Sequence, residues 1–236
     1  MQAIQFLKMA EGLPNPVFAI NDVTRILGKP VEYARLYVHR LRHRNLLYEV
    51  EKGKYSLIDD AFEIGSHILF PSYISFLSAY YIHKLTTQIP IVVQVVSTKS
   101  KKPIEIGNAR IEFIRFKSLY GYNKVNFGNS FIFLAEPEKA IIDSLYLPRH
   151  CSISETYEAL KNSTINKEKI VDYAQRMSSI VVLKRLGYLL ELIGIVIHLR
   201  VKKYLNNRYD FLNPYMKKQE KKSAKWKLII SEELDD

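Results

Sequence analysis

The stretch Phe18 to Ile58, FAINDVTRILGKPVEYARLYVHRLRHRNLLYEVEKGKYSLI, decides the reading of this chain. It predicts a short helix, a tight turn, a basic helix and a hairpin, in that order. Asn21 is expected to cap the first helix, whose apolar Val23, Ile26 and Leu27 share one face. Gly28 suits a left-handed cap at its end, and Pro30 suits the first turn of the next helix. That second helix is expected from about Val31 to Arg44, with Ala34, Tyr37, Val38 and Leu41 turned inward at 3.6-residue spacing. Glu32, Leu36, His39, Arg40 and His43 then face outward, flanked by Tyr33, Arg35, Arg42 and Arg44. Leu46 to Val50 and Tyr55 to Ile58 predict two strands joined by a Glu51-Lys52-Gly53-Lys54 turn. The order is that of a winged helix-turn-helix, and the basic helix and Lys/Gly wing lie where such a module meets DNA. A basic helix alone is more often a solvated surface, so the weight rests on the conjunction of cap, short turn, arginines and wing.

Charge agrees with a polyanionic partner. The 236 residues carry a formal net charge of +11, unevenly spread. Residues 1 to 58 contribute +4, residues 59 to 199 contribute +3, residues 200 to 227 contribute +8 and the last nine contribute −4. Two basic zones thus flank a nearly balanced middle, which implies phosphate attraction, with an acidic protein as the rival partner. The single cysteine, Cys151, excludes an internal disulfide and a cysteine-based zinc site and fits a reducing, cytoplasmic setting. The opening MQAIQFLKMAEG predicts an amphipathic helix, not a signal peptide. The longest apolar run, Ile180 to Ile197, holds Lys184, Arg185 and Glu191 and is too polar for a membrane span.

Beyond the wing, Asp59 to Pro71 predicts a connection with a helical turn, and Ser72 is expected to cap a helix reaching about Leu85. Ile74, Leu77, Ser78, Tyr81 and Ile82 would line one side of it. Ile91 to Ser97 predicts a buried strand. Ile104 to Ile106 with Ala109 to Phe116, and Tyr122 to Phe127 with Ser130 to Leu134, predict hairpins around Gly107-Asn108 and Gly128-Asn129. Helices are expected at Pro137 to Leu147, Ser154 to Lys161, Lys167 to Met177 (capped by Asn166) and Ile180 to Ile193. The fold class is therefore α+β: a winged helix-turn-helix over residues 1–60, then a larger domain over 61–236 with a small sheet, a helical bundle and a basic tail segment.

Several segments carry a family resemblance. Tyr73-Ile74-Ser75, Ser78-Ala79-Tyr80-Tyr81 and Leu85-Thr86-Thr87-Gln88-Ile89-Pro90 resemble the hallmark region of the AbiEi family. The likeness continues through Val93 to Thr98, Lys102-Pro103, Ala135 to Arg149, Arg176-Met177, Arg185 to Glu191 and Lys225-Trp226. AbiEi proteins are antitoxins and transcriptional autoregulators of type IV toxin–antitoxin (abortive infection) modules. The resemblance implies a winged helix that binds double-stranded operator repeats, with self-association on DNA possible. It also implies a C-terminal domain that counteracts a cognate nucleotidyltransferase-like toxin. The basic stretch Val201 to Lys222 departs from the family pattern, so no role transfers to it.

Catalytic constellations are scarce. No G-x-x-x-x-G-K-[ST] loop occurs. Gly65-Ser66 lacks the paired carboxylates of a nucleotidyltransferase, and Glu136-Pro137-Glu138-Lys139 has proline where a nuclease needs an acid; it fits a helix start better. His39 and His43 have the i, i+4 spacing of zinc ligands, without a carboxylate-rich partner segment. His150-Cys151 lacks a base in sequence. Tyr120 and Tyr122 around Gly121 are expected in an exposed loop suited to a protein contact. No enzyme, cofactor or metal is thus expected; the alternative is a nuclease targeted by the winged helix. Expected DNA contacts are Tyr33, Arg35, His39, Arg40, Arg42, His43, Arg44, Lys52 and Lys54. Arg35 and Arg40 are the base readers, and Arg42, Arg44, Lys52 and Lys54 the phosphate contacts. Lys202, Lys203, Lys217, Lys218, Lys221 and Lys222 are expected to face a protein partner or the DNA backbone.

Overall fold

The computed structural model describes residues 2–216 and 221–234, and these form an α+β protein with ten α-helices and three sheets. Two compact units result: Met1–Ile74 with Ile91–Leu119 and Lys124–Leu134, and Ser75–Pro90 with Tyr120–Asn123 and Ala135–Asp236.

The first unit opens with α1 (Ala3–Glu11), β1 (Val17–Ala19), α2 (Ile20–Leu27), α3 (Val31–His43), β2 (Tyr48–Glu51) and β3 (Lys54–Ser56). The strands form an antiparallel sheet in the order β1-β3-β2, with Val17 opposite Ser56 and Tyr48 opposite Ser56 on its other edge. Strand β1 was not anticipated, and it moves the start of α2. The chain is extended to Ala19, so Asn21 falls inside the first helical turn and cannot cap it. Asp22 does this instead: its carboxylate accepts the Ala19 N–H at 2.9 Å. Gly28 ends α2 in the left-handed conformation (φ 61°), its N–H bonded to the Thr24 carbonyl, as its lack of a Cβ predicts. Pro30 is the residue before α3 rather than its first turn.

The unit continues with α4 (Ala61–Ile68), a full helix capped by the Asp60 carboxylate, which accepts the Phe62 and Glu63 N–H groups. Next come β4 (Ser72–Ile74), β5 (Val92–Ser97), β6 (Ile104–Ile106), β7 (Ala109–Arg115), β8 (Tyr122–Phe127) and β9 (Ser130–Ala135), in one mixed sheet ordered β6-β7-β5-β4-β9-β8. Both expected hairpins are present. The helix expected from Ser72 to about Leu85 is present only over Phe76–Ile82, and Ser72 to Ile74 is instead a buried inner strand, antiparallel to Val95–Ser97 and parallel to β9 at Ile74. Ser72 donates its hydroxyl to the Ser66 and Leu69 carbonyls instead of capping a helix. Ladder pairing on both edges outweighs local helix propensity here.

The second unit holds α5 (Phe76–Ile82), α6 (Pro137–Tyr146), α7 (Ile153–Lys161), α8 (Lys167–Arg176), α9 (Ile180–Leu192), α10 (His198–Val201), a 3-10 turn (Lys202–Tyr204) and the short strands β10 (Asp210–Phe211), β11 (Lys222–Ser223) and β12 (Leu228–Ile229). Helix α5 buries Phe76, Ser78, Ala79 and Tyr80, leaving Leu77, Tyr81 and Ile82 half-buried. Asn166 caps α8 as expected, accepting from the Glu168 and Lys169 N–H groups at 3.0 Å each. Helix α7 begins one residue early, because the Ser152 hydroxyl accepts the Glu155 N–H.

Helix α6 starts with Pro137 in its first turn. One turn in, Lys139 and Asp143 are both fully buried and form an ion pair. Ser75 donates to the other Asp143 oxygen at 2.7 Å, and the Lys139 ammonium lies 4.5 Å from the centre of the Tyr120 ring. Burial pushes the Lys139 ammonium below its ordinary pKa in spite of Asp143. Tyr120, expected in an exposed loop, is buried and donates its hydroxyl to the Tyr173 carbonyl at 2.9 Å. Packing needs an aromatic wall over the buried ammonium, and this overrides the loop signal of Gly121.

Candidate nucleic-acid interface

Helix α3 is seated by Ala34, Val38 and Leu41, which share one apolar core with Phe6 and Ala10 of α1, Val23 of α2, and Leu47 and Tyr55 of the hairpin region. Tyr37, the fourth inward residue of the expected face, is half-buried: Phe6 meets its ring edge-on at 5.3 Å and Tyr33 stacks on it at 6.3 Å. Burial first, and Tyr33 second, raise the Tyr37 phenol above its ordinary pKa. With that seam fixed, helical geometry turns the opposite side to solvent. Glu32, Tyr33, Arg35, Leu36, His39, Arg40, Arg42, His43 and Arg44 are all exposed.

The cations on this surface are not equivalent. Arg42 is held by Glu49 of β2 at 2.7 Å. Lys54 is held by Glu51 across the turn at 2.6 Å, and Lys101 bonds the same carboxylate. Burial would raise the Glu51 carboxyl, but the bonds from Lys101 and Lys54 outweigh it and hold it below the usual carboxylate range. Among the described residues, Arg35, Arg40, Arg44 and Lys52 make no ion pair. His39 and His43 bring their Nε2 atoms to 3.1 Å, with ring centroids 4.4 Å apart and planes at 64°. A helix about 10–12 Å across, studded with unneutralised guanidinium groups, matches a DNA major groove about 12 Å wide.

Sequence reasoning singled out every basic residue of this face and missed the acids that neutralise three cations of this unit. Glu51 and Lys54 were legible as a pair, since a turn of this length sets them opposite each other on the two strands. Lys101 was not, being 50 residues away.

The second basic zone belongs to the other unit. Lys202 and Lys203 are exposed on the 3-10 turn, and Lys221 and Lys222 are exposed at β11; Lys217 and Lys218 lie outside the described residues. The zone is anchored rather than free. Trp226 is 1% exposed, its indole N–H donates to Glu191 of α9, and its ring packs against Gly187. A Cβ at position 187 would fall 2.1 Å from that ring, so only glycine admits the tryptophan. Lys184 is fully buried and donates to Asn206 and Asp210 at 2.7 Å each, tying the same segment down a second time.

Ser66 is buried and accepts the Phe133 N–H at 3.0 Å. Cys151 is buried, and burial pushes its thiol up to about 12. Among the described residues, no three His, Cys, Asp or Glu side chains converge as a metal set, and no helix is long and apolar enough to cross a membrane. Compared with known proteins, the chain matches no family model and no curated protein.

Proposed function

We propose that the chain is a DNA-binding regulator of winged helix-turn-helix type and the antitoxin of a type IV module, acting without an enzymatic step of its own. In this reading α3 is the recognition helix and the β2–β3 hairpin the wing. Arg35 and Arg40 read bases, Arg44 and Lys52 meet phosphate, and Tyr33, His39 and His43 supply further polar contacts. Arg42 and Lys54 are held by their own glutamates and contribute less. Copies paired on operator repeats would sit about 34–36 Å apart, one turn of the duplex. The AbiEi resemblance supplies the partner: a cytoplasmic, nucleotidyltransferase-like toxin opposed by the second unit. One observation carries the DNA reading. Three arginines, Arg35, Arg40 and Arg44, without a counter-ion among the described residues stand on a helix whose opposite side is locked into a core, with a hairpin directly after it.

The test is Arg40→Ala, read by fluorescence anisotropy on DNA from upstream of the gene against scrambled DNA at one stated salt concentration. A bidentate arginine–guanine contact is worth about 1–3 kcal/mol, so preference for the specific duplex should fall roughly 5- to 150-fold. Unchanged preference would remove Arg40 from the base readers. For the antitoxin reading, charge reversal at Lys202, Lys203, Lys221 and Lys222 together should abolish rescue of cells expressing the neighbouring toxin gene while leaving specific DNA binding intact. Full rescue by that variant would make the zone a solubilising surface.

A further inference from the structure

Six histidines are present, and four of them are engaged singly. His67 bonds the Phe131 carbonyl, His83 bonds the Ala135 carbonyl, His150 accepts from Arg149, and His198 lies edge-on to Trp226. His39 and His43 differ. One turn apart on an exposed helix face, they aim the same ring atom at each other, Nε2 to Nε2, at 3.1 Å. In the neutral pair one Nε2 carries the hydrogen and the other offers its lone pair.

The geometry points to a bidentate site for a borderline divalent transition-metal ion such as Zn2+, Ni2+ or Cu2+, chelated by His39 Nε2 and His43 Nε2. Two nitrogens 3.1 Å apart, each about 2.05 Å from a metal, subtend about 98° at it, between the right angle of octahedral and the wider angle of tetrahedral coordination. The spacing is therefore already that of a chelate, and rotation of the two rings about their side-chain torsions would aim both lone pairs at one point. The metal takes the place of the bridging hydrogen. The imidazole that carried it adopts its other neutral tautomer, with the hydrogen on Nδ1, so no net proton is released.

The surroundings choose the class of ion. Arg42, Asn45, Tyr48 and Glu49 line a shallow recess of about 370 Å³ beside the two rings, so the remaining positions stay open to water. The arginines of α3 oppose any cation. Hard ions such as Mg2+, which want several oxygen ligands, gain nothing from imidazole to offset that repulsion, whereas imidazole suits zinc, nickel and copper. The site does not depend on the DNA reading; occupancy would simply remove both imidazoles from the groups available on that face.

The experiment is calorimetric titration of the full-length protein with ZnCl2, and in parallel with MgCl2. One equivalent of zinc should bind and magnesium should not. His39→Ala and His43→Ala should each abolish the zinc heat, with unchanged circular dichroism and melting temperature. In the unaltered protein, zinc should shift the imidazole NMR signals of His39 and His43 and no others, a readout that needs no variant. No zinc binding, one equivalent retained in His39→Ala, or shifts confined to the other four histidines would each overturn the proposal.

Discussion

Replacing Glu51 by glutamine should make the protein bind DNA more tightly at low salt and lose that affinity more steeply as salt rises. Glu51 neutralises two lysines at once, Lys54 at 2.6 Å and Lys101 through its other oxygen. Glutamine keeps the shape and removes the charge, so both ammonium groups become available to phosphate. Each phosphate contact adds about 0.9 to the slope of log K against log salt. Arg44 and Lys52, the phosphate contacts without an ion pair, set a slope of about −1.8, and one or two freed lysines steepen it by about 0.9–1.8. Between 50 and 200 mM salt this amounts to an extra affinity loss of about 3.5- to 12-fold. The fold should tolerate the change, since partly exposed ion pairs contribute only about 0–1 kcal/mol each. Anisotropy titrations at four salt concentrations, with thermal melts as control, give the answer. For the same reason Lys52→Ala should flatten the slope by about 0.9, while Lys54→Ala changes it little. An unchanged slope for Glu51→Gln, with melting preserved, would refute the assignment of the hairpin as a DNA-contacting wing.

Two further outcomes concern the second unit. Lys139→Met leaves the Asp143 carboxylate buried without its counter-ion and should cost about 3–5 kcal/mol in urea unfolding, much of it recovered by Lys139→Met with Asp143→Leu. A cost below about 1 kcal/mol for the single change would mean that the pair is solvated. The Cys151 thiol, buried and titrating near 12, stays protonated at pH 8, and only the thiolate reacts. Ellman's reagent should therefore find no thiol in the native protein and one equivalent in denaturant; rapid labelling of the native state would show that α7 opens readily.

The sequence was legible where one physical signal acted locally. Gly28, Asn166 and the 3.6-residue spacing of Ala34, Val38 and Leu41 each report a requirement met within a few residues, and each stands as expected. Misreadings fall where a distant partner decides. Ser72 to Ile74 has the look of a helix start until the chain supplies Val95 to Ser97 and Leu134 as ladder partners. Tyr120 has the look of a surface aromatic until Tyr173 and Lys139 close around it. At the candidate interface the cations were readable and their neutralisation was not, because Arg42 finds Glu49 and Lys101 finds Glu51 only after folding.

The seat of Trp226 on Gly187 has a consequence for the timing of synthesis. The first unit takes its last segment at Leu134 and can complete its packing once that residue has emerged. The second needs Trp226, Leu228 and Ile230, all buried, before its helices close. At a translation rate of about 5–20 residues per second, roughly 5–20 s separate the two events. During that interval a finished basic module is tethered to an unfinished helical one whose apolar faces await their last strand. Chains broken off before Trp226 would hold a packed first unit without a closed second one, and would be marked for proteolysis by the same exposed surface.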